Sequence, residues 1–236
     1  MAKVLIIPDI HLKPWILRRV DEILEKEAYD RIAFLGDVVD DWNQENNQAL
    51  YDETFDKMIE LIAKYKNLTP LFCYGNHELS YVWGKNETGY SPMAKKNVLL
   101  GLERLSKILP NGNIGFVHII DNIIISHAGI DAWFIEENIP NFDGDMKELV
   151  KQINNMGVDE LWRDISPIWS RFQNGFGRPY ITDYLQVVGH TPIKYAYAEN
   201  GILSLDTFST YRDGTPIGEQ RFVWVDSITK EWHYVN

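Results

Sequence analysis

Five times in this chain a short, largely apolar run is followed at once by side chains that bind hard cations. Val4-Leu5-Ile6-Ile7 leads to Asp9-Ile10-His11, Ile32-Ala33-Phe34-Leu35 to Gly36-Asp37-Val38-Val39-Asp40, and Leu71-Phe72-Cys73-Tyr74 to Gly75-Asn76-His77-Glu78. Ile123-Ile124-Ile125 leads to Ser126-His127-Ala128-Gly129, and Leu185-Gln186-Val187-Val188 to Gly189-His190-Thr191-Pro192. Runs of this length read as buried strands. Loops at the carboxyl ends of strands are where open α/β sheets bind ligands. Together the five loops could build one two-metal hydrolytic site at the strand ends.

Between these loops the pattern is β-α-β. Pro14 with Trp15, Ile16, Val20, Ile23 and Leu24 predicts a helix after the first loop, and Phe55, Met58, Ile59, Ile62 and Ala63 predict another after the second. Trp83 to Lys95, rich in Gly, Asn, Ser and Pro, predicts a loop able to cover the site, followed by a helix through Val98, Leu99, Leu102, Leu105 and Leu109. The character changes near Gly112. Gly115 to Ile120 and Ile123 to Ile125, separated by Asp121-Asn122, predict an antiparallel hairpin. Tyr195 to Ala198, Leu203 to Asp206 and Arg221 to Val225 continue as short strands, so a β-rich second half joins an α/β first half. Residues Trp133 to Gln173 have a helix-compatible pattern, with no linker composition at either boundary. We expect a single domain over 1–236 with a helical insertion at about 133–173.

A net charge of −11 argues against an extended nucleic-acid interface, which needs clustered Lys and Arg. Bound divalent cations would offset part of that charge and create a local positive site for a phosphate group. Cys73 is the only cysteine, so no intrachain disulfide can form, and its apolar surroundings predict an inert buried thiol. The first strand follows Ala2-Lys3 with no signal segment ahead of it, and no apolar stretch approaches the ~18 residues of a membrane span. The expectation is a cytoplasmic protein without a membrane partner.

Asp9 and His11 supply a carboxylate and an imidazole two residues apart, pointing the same way if the strand continues. Asp37 adds a carboxylate able to bridge two cations, and Asn76, His127 and His190 add oxygen and nitrogen donors. Mixed N/O ligation suits manganese, iron or zinc better than calcium. Two cations roughly 3.5–4 Å apart can bind phosphoryl oxygens and activate a water, so no nucleophilic side chain is needed. His77 can then protonate the leaving oxygen, with Asp40 orienting its imidazole. Glu78 is expected to support its loop by hydrogen bonds.

The five motifs resemble those of the calcineurin-like metallophosphoesterases, especially the serine/threonine protein phosphatase and bacterial diadenosine-tetraphosphatase branch. The resemblance covers Asp9 to His190. It implies two central mixed β-sheets packed as a sandwich and flanked by helices, an α/β fold of four layers. It also implies a first metal at Asp9, His11 and Asp37, and a second at Asp37, Asn76, His127 and His190. His77 would be the general acid, with Asp40 behind it. The cofactors implied are two divalent or mixed-valence transition-metal ions, manganese first, with iron or zinc as alternatives. Thr191 after Gly189-His190 matches the phosphatase branch. Two positions depart from the family: Asp41-Trp42 follows Asp40 where protein phosphatases carry Arg-Gly, and Leu12 stands where a glycine often follows the first histidine. The usual phosphate-clamping arginine is thus missing, and Arg163 or Arg171, each near a tryptophan, are the candidate replacements.

The leading function is hydrolysis of a phosphomonoester, carried by a small molecule, nucleotide or phosphoprotein. A symmetrical dinucleoside-polyphosphate hydrolase is the alternative enzyme, with bases stacked on one or two of Trp42, Trp83, Trp133, Trp162 and Trp169, although core packing explains most of these. A non-catalytic metal-binding or scaffold protein would have no chemical need for the whole ligand set.

Overall fold

The computed structural model describes residues 2–180 and 182–235. Eleven strands form two sheets among these residues. The first sheet contains β1 (Lys3–Ile7), β2 (Arg31–Phe34), β3 (Leu71–Cys73), β4 (Ile114–Gly115), β10 (Val223–Asp226) and β11 (Trp232–Tyr234), in the order β11-β10-β1-β2-β3-β4. The second contains β5 (Val117–Ile120), β6 (Ile123–Ser126), β7 (Leu185–Val188), β8 (Tyr197–Glu199) and β9 (Ile202–Ser204), in the order β5-β6-β7-β9-β8. Strands β1 to β4 are mutually parallel, as are β6, β7 and β9. The remaining pairings are antiparallel.

Among the described residues seven α-helices connect them: α1 (Pro14–Lys26), α2 (Gln48–Lys64), α3 (Asn76–Trp83), α4 (Lys95–Ile108), α5 (Ala132–Asn138), α6 (Met146–Asn154) and α7 (Val158–Leu161). The period-two alternation of each strand decides the layering. Val4 and Ile6 of β1, with Ala33, Leu71 and Cys73, face Ile123, Ile125, Val187 and Leu203 across the sandwich. Leu5 and Ile7, with Ile32, Phe34 and Phe72, face Ile16, Leu17 and Val20 of α1 and Met58, Leu61 and Ile62 of α2. On the far side, Val117 and Ile124 pack on Phe134, Leu149, Ile153 and Leu161 of α5, α6 and α7. The strands are apolar throughout because both faces are covered. The result is the expected four-layer α/β sandwich.

Two local differences from the sequence reading bear on the site. The run Gly115 to Ile120 is not one strand: Gly115 pairs with Cys73 in the first sheet and Val117 with Ser126 in the second. Between them the Asn154 side chain accepts hydrogen bonds from the N–H groups of Phe116 and Val117 at 2.7 and 3.0 Å, satisfying backbone that neither ladder reaches. Asn76 and His77 begin a helix rather than sitting in an extended loop, with the Glu78 carboxylate accepting from Gly75 N–H at 3.0 Å. No helix among the described residues is long and apolar enough to cross a membrane.

Candidate active site

All five sequence-predicted loops meet at the carboxyl ends of β1, β2, β3, β6 and β7, around a cleft of about 310 Å³. The chain leaves regular geometry there. His11, Asp37, Asp40 and His190 have positive φ values of 45°, 47°, 63° and 64°, in the left-handed region that non-glycine residues rarely adopt. The strand alternation expected to align Asp9 with His11 therefore ends at Ile7, and the turn brings the two side chains together instead, with Oδ2 and Nε2 4.0 Å apart.

Glu78 anchors the turn that carries Asp37. Fully buried, it accepts from the N–H groups of Asp37 at 2.9 Å, Val38 at 2.7 Å and Val39 at 3.3 Å. Burial, reinforced by the charge of Asp37, pushes its carboxyl up to about 7. Two glycines let the carboxylates approach the backbone. A Cβ at Gly75 would lie 2.1 Å from Asp37 Oδ1, and one at Gly189 would lie 2.1 Å from Asp9 Oδ1. In that space Asp37 Oδ1 accepts from His77 N–H at 3.1 Å, and Asp9 accepts from His190 N–H at 3.0 and 3.2 Å.

The hydrogen bonds fix the tautomers. His127 Nδ1 lies 2.8 Å from the Leu35 carbonyl, which can only accept, so Nδ1 is the donor and in the neutral ring Nε2 carries the lone pair. That lone pair faces Asn76 Oδ1 at 3.1 Å, His190 Nδ1 at 3.0 Å and Asp37 Oδ2 at 3.2 Å. Ligand atoms about 2.1 Å from a cation and at right angles to one another are about 3 Å apart, so this cluster has the spacing of a coordination shell. His11 repeats the arrangement, with Nδ1 donating to the Asp40 carbonyl at 2.9 Å and Nε2 left facing Asp37 Oδ2 at 3.9 Å. Burial holds the His11 imidazole down at about 4, and burial with the neighbouring His127 holds His190 well below the usual range. Neutral imidazoles are what a cation needs. Burial opposes the charge of Asp37, but His127, His77 and His11 outweigh it and hold that carboxyl well below its usual range. Asp9 moves the other way, raised by burial and by the charges of Asp206 and Asp37.

His77 stands beside this cluster. Its Nδ1 lies 3.0 Å from Asp40 Oδ2, and its Nε2 lies 3.9 Å from Asp37 Oδ2. Burial alone would lower the His77 pKa, but Asp37 and the Asp40 hydrogen bond raise it to about 9.

The two candidate arginines separate. Arg171 lines the cleft, where one guanidinium nitrogen donates to the His190 carbonyl at 3.3 Å. Arg163 is not among the cleft residues: it bonds the Asp159 carbonyl at 2.8 Å and pairs with Glu137 at 3.6 Å on the surface. Of the five tryptophans only Trp42 lines the cleft, its indole N–H donating to the Thr210 carbonyl at 2.9 Å. Trp83, Trp162 and Trp169 pack in sequence behind His190, and Trp133 lies against Arg178. Asp206 was not singled out in the sequence. It is buried after β9 beside Asp9, and burial with the Asp37 charge raises it to about 6. Its signal is the one that marks the other loops, an aspartate directly after the apolar run Ile202-Leu203-Ser204-Leu205.

Fold and site together define a metal-dependent hydrolase. The sequence matches the calcineurin-like phosphoesterase family over residues 2–216, and the chain belongs to that family, whose members hydrolyse phosphoesters with divalent metal ions. No curated protein matches it in sequence. Among solved structures, a protein serine/threonine phosphatase from Saccharomyces cerevisiae with similarity to human phosphatase PP5 shares the fold at TM-score 0.52 and 15% identity, over 94% of this chain and 72% of that one. A hypothetical protein from Pyrococcus horikoshii OT3 has TM-score 0.49 at 15% identity, over 100% of this chain and 88% of that one. A metallophosphoesterase from Sphaerobacter thermophilus has TM-score 0.43 at 15% identity, over 99% of this chain and 88% of that one.

Proposed function

We propose that the protein hydrolyses phosphomonoesters at a dinuclear centre. Asp9, His11 and Asp37 would hold one ion, and Asp37, Asn76, His127 and His190 the other. The observation that carries this reading is the convergence of Asn76 Oδ1, Asp37 Oδ2 and His190 Nδ1 within about 3 Å of His127 Nε2, four potential ligand atoms at the spacing of a coordination shell. The ions, manganese first and iron or zinc as alternatives, supply Lewis-acid polarisation and a more acidic water when bound. The chain's own residues do the rest. Arg171 has guanidinium nitrogens beyond the one held by His190 and binds the phosphate. His77 gives its Nε2 proton to the leaving oxygen as the P–O bond breaks, with Nδ1 held by Asp40.

The cleft favours a monoester over a polyphosphate. Among the described residues Arg171 is the one arginine or lysine lining it, and with His77 it serves a single phosphate, while Glu87 also lines it and would repel a further one; Asp41 is paired with Lys13 at 3.0 Å. A phosphorylated small molecule, nucleotide or phosphoprotein fits that charge pattern. In the same reading the chain is one domain, with residues 133–173 as an insertion covering the second sheet. Its free cysteine, buried at Cys73, suits a cytoplasmic setting.

The test is product release by metal-stripped protein reloaded with manganese, with phosphopeptide, aryl phosphate, nucleotide and diadenosine tetraphosphate side by side. Turnover of the monoesters is expected. Preferential cleavage of the dinucleotide would install the polyphosphate alternative, and no turnover with verified metal loading would install the scaffold. His77→Asn should retain the metals and lose most activity on poor leaving groups, and equal loss on good and poor ones would remove its acid role.

A further inference from the structure

Asp40, the partner of His77, is almost wholly buried, and no lysine or arginine pairs with it among the described residues. Two phenols meet it instead. Tyr51 of α2 donates its hydroxyl to Asp40 Oδ1 at 2.8 Å, and Tyr81 of α3 donates to the same oxygen. The direction of the Tyr81 proton is fixed, because Ser91 N–H donates into its hydroxyl oxygen at 2.8 Å and leaves the O–H to point at the carboxylate. Burial and the Asp40 charge push both phenols above their ordinary range, so both remain donors. Oδ1 is thereby committed to the two tyrosines and Oδ2 to His77 Nδ1, at 3.0 Å.

We propose that Tyr51 and Tyr81 are positioning residues for His77, clamping one oxygen of Asp40 so that the other holds the imidazole with Nε2 turned into the cleft. An unclamped aspartate can rotate about its last side-chain torsion, which is broad and roughly two-fold, and the imidazole rotates with it. Charge-assisted bonds from three donors remove that freedom. The tyrosines come from different helices, so the carboxylate is held from two sides. Ser91 carries the clamp into the loop at 84–94, which packs over Asp40. A Cβ at Gly89 in that loop would lie 3.1 Å from Asp40 Cβ, so the loop rests on the aspartate. Neither tyrosine lines the cleft, so neither contacts substrate.

The inference rests on the phosphomonoesterase reading, and two measurements separate the two. The first is steady-state kinetics of Tyr51→Phe and Tyr81→Phe on an alkyl phosphate and on p-nitrophenyl phosphate, whose good leaving group needs little protonation. Each variant should lower kcat about ten-fold on the alkyl ester and less than about two-fold on the nitrophenyl ester, with KM and metal content unchanged. In a His77→Asn background neither substitution should cause further loss, whereas a merely structural role would still lower both rates. The second readout needs no turnover. In metal-stripped protein with nitrogen-15 histidine, the His77 Nδ1–H resonance, assigned by its disappearance in His77→Asn, should be protected from exchange in the wild type and exposed in both variants. Tyr51→Phe carries the test if Tyr81→Phe also loosens the loop through Ser91. An unchanged resonance and unchanged leaving-group dependence in Tyr51→Phe would overturn the proposal. Equal losses on both esters in His77→Asn, with the resonance still sensitive to the tyrosines, would overturn the acid role of His77 and leave the clamp standing.

Discussion

Gly189→Ala adds one methyl group at a position whose backbone is outside the left-handed region, so its effect is steric. The new carbon would lie 2.1 Å from Asp9 Oδ1 and 3.2 Å from Asp9 Cγ, about 1 Å short of ordinary contact with the oxygen. The carboxylate must withdraw, and in doing so it gives up the His190 N–H bonds at 3.0 and 3.2 Å. A hydrogen bond to a charged acceptor contributes about 1.5–3 kcal/mol, and the reduced freedom of the unfolded chain returns about 0.4–1 kcal/mol. The net cost is about 1–2 kcal/mol, which for a chain of this size lowers Tm by roughly 2–8 °C. Asp9 belongs to one proposed metal set and not to the other, so metal content at limiting manganese should fall toward one ion per chain. Gly157→Ala is the control: its φ is −108°, and the nearest atom to its Cβ is Glu160 Oε2 at 3.7 Å, so both readouts should stay at wild type. Thermal unfolding of the metal-free variants and elemental analysis of the reloaded ones make the comparison. Wild-type Tm with two ions bound in Gly189→Ala would refute the claim that this glycine makes room for the carboxylate.

Asp37→Asn should weaken both ions together, and unchanged metal stoichiometry by elemental analysis would remove its bridging role. Gly101→Ala should destabilise by about 1–3 kcal/mol in urea titration even though alanine is the better helix former, because its Cβ would lie 2.3 Å from the Phe55 ring where α4 meets α2. Metal-free protein should lose stability as pH rises from 6.5 to 9, since His77 is raised from 6.5 to about 9 and the folded state holds its proton across that window while the unfolded state releases it. His77→Asn should flatten that slope in unfolding midpoints taken pH by pH. Cys73, fully buried with its thiol pushed up by burial, should not react with a thiol reagent until the protein unfolds.

What could be read from the sequence depended on the range over which each interaction acts. The strands were legible because burial on both faces makes each one an apolar run, and the loops because oxygen and imidazole ligands at strand ends are seldom there for packing. The break inside Gly115 to Ile120 was not, since it depends on Asn154, whose carbonyl caps Phe116 from 38 residues away. Arg163 and Arg171 looked equivalent beside their tryptophans. They part only because the chain turns between them, leaving one on the surface with Glu137 and the other against His190. Tyr51 was within reach: it lies four residues before Phe55 and continues the helical stripe that runs through Met58 and Ile62. A stripe read as hydrophobic core hides a tyrosine whose ring packs with Phe55 in that core while its hydroxyl reaches Asp40. Periodicity reports which face of a helix is buried and carries no record of what the buried hydroxyl meets. The metal ligands could be named from local order, whereas the groups that orient them and the proposed acid become visible only once α2, α3 and the loop at 84–94 have closed around one carboxylate.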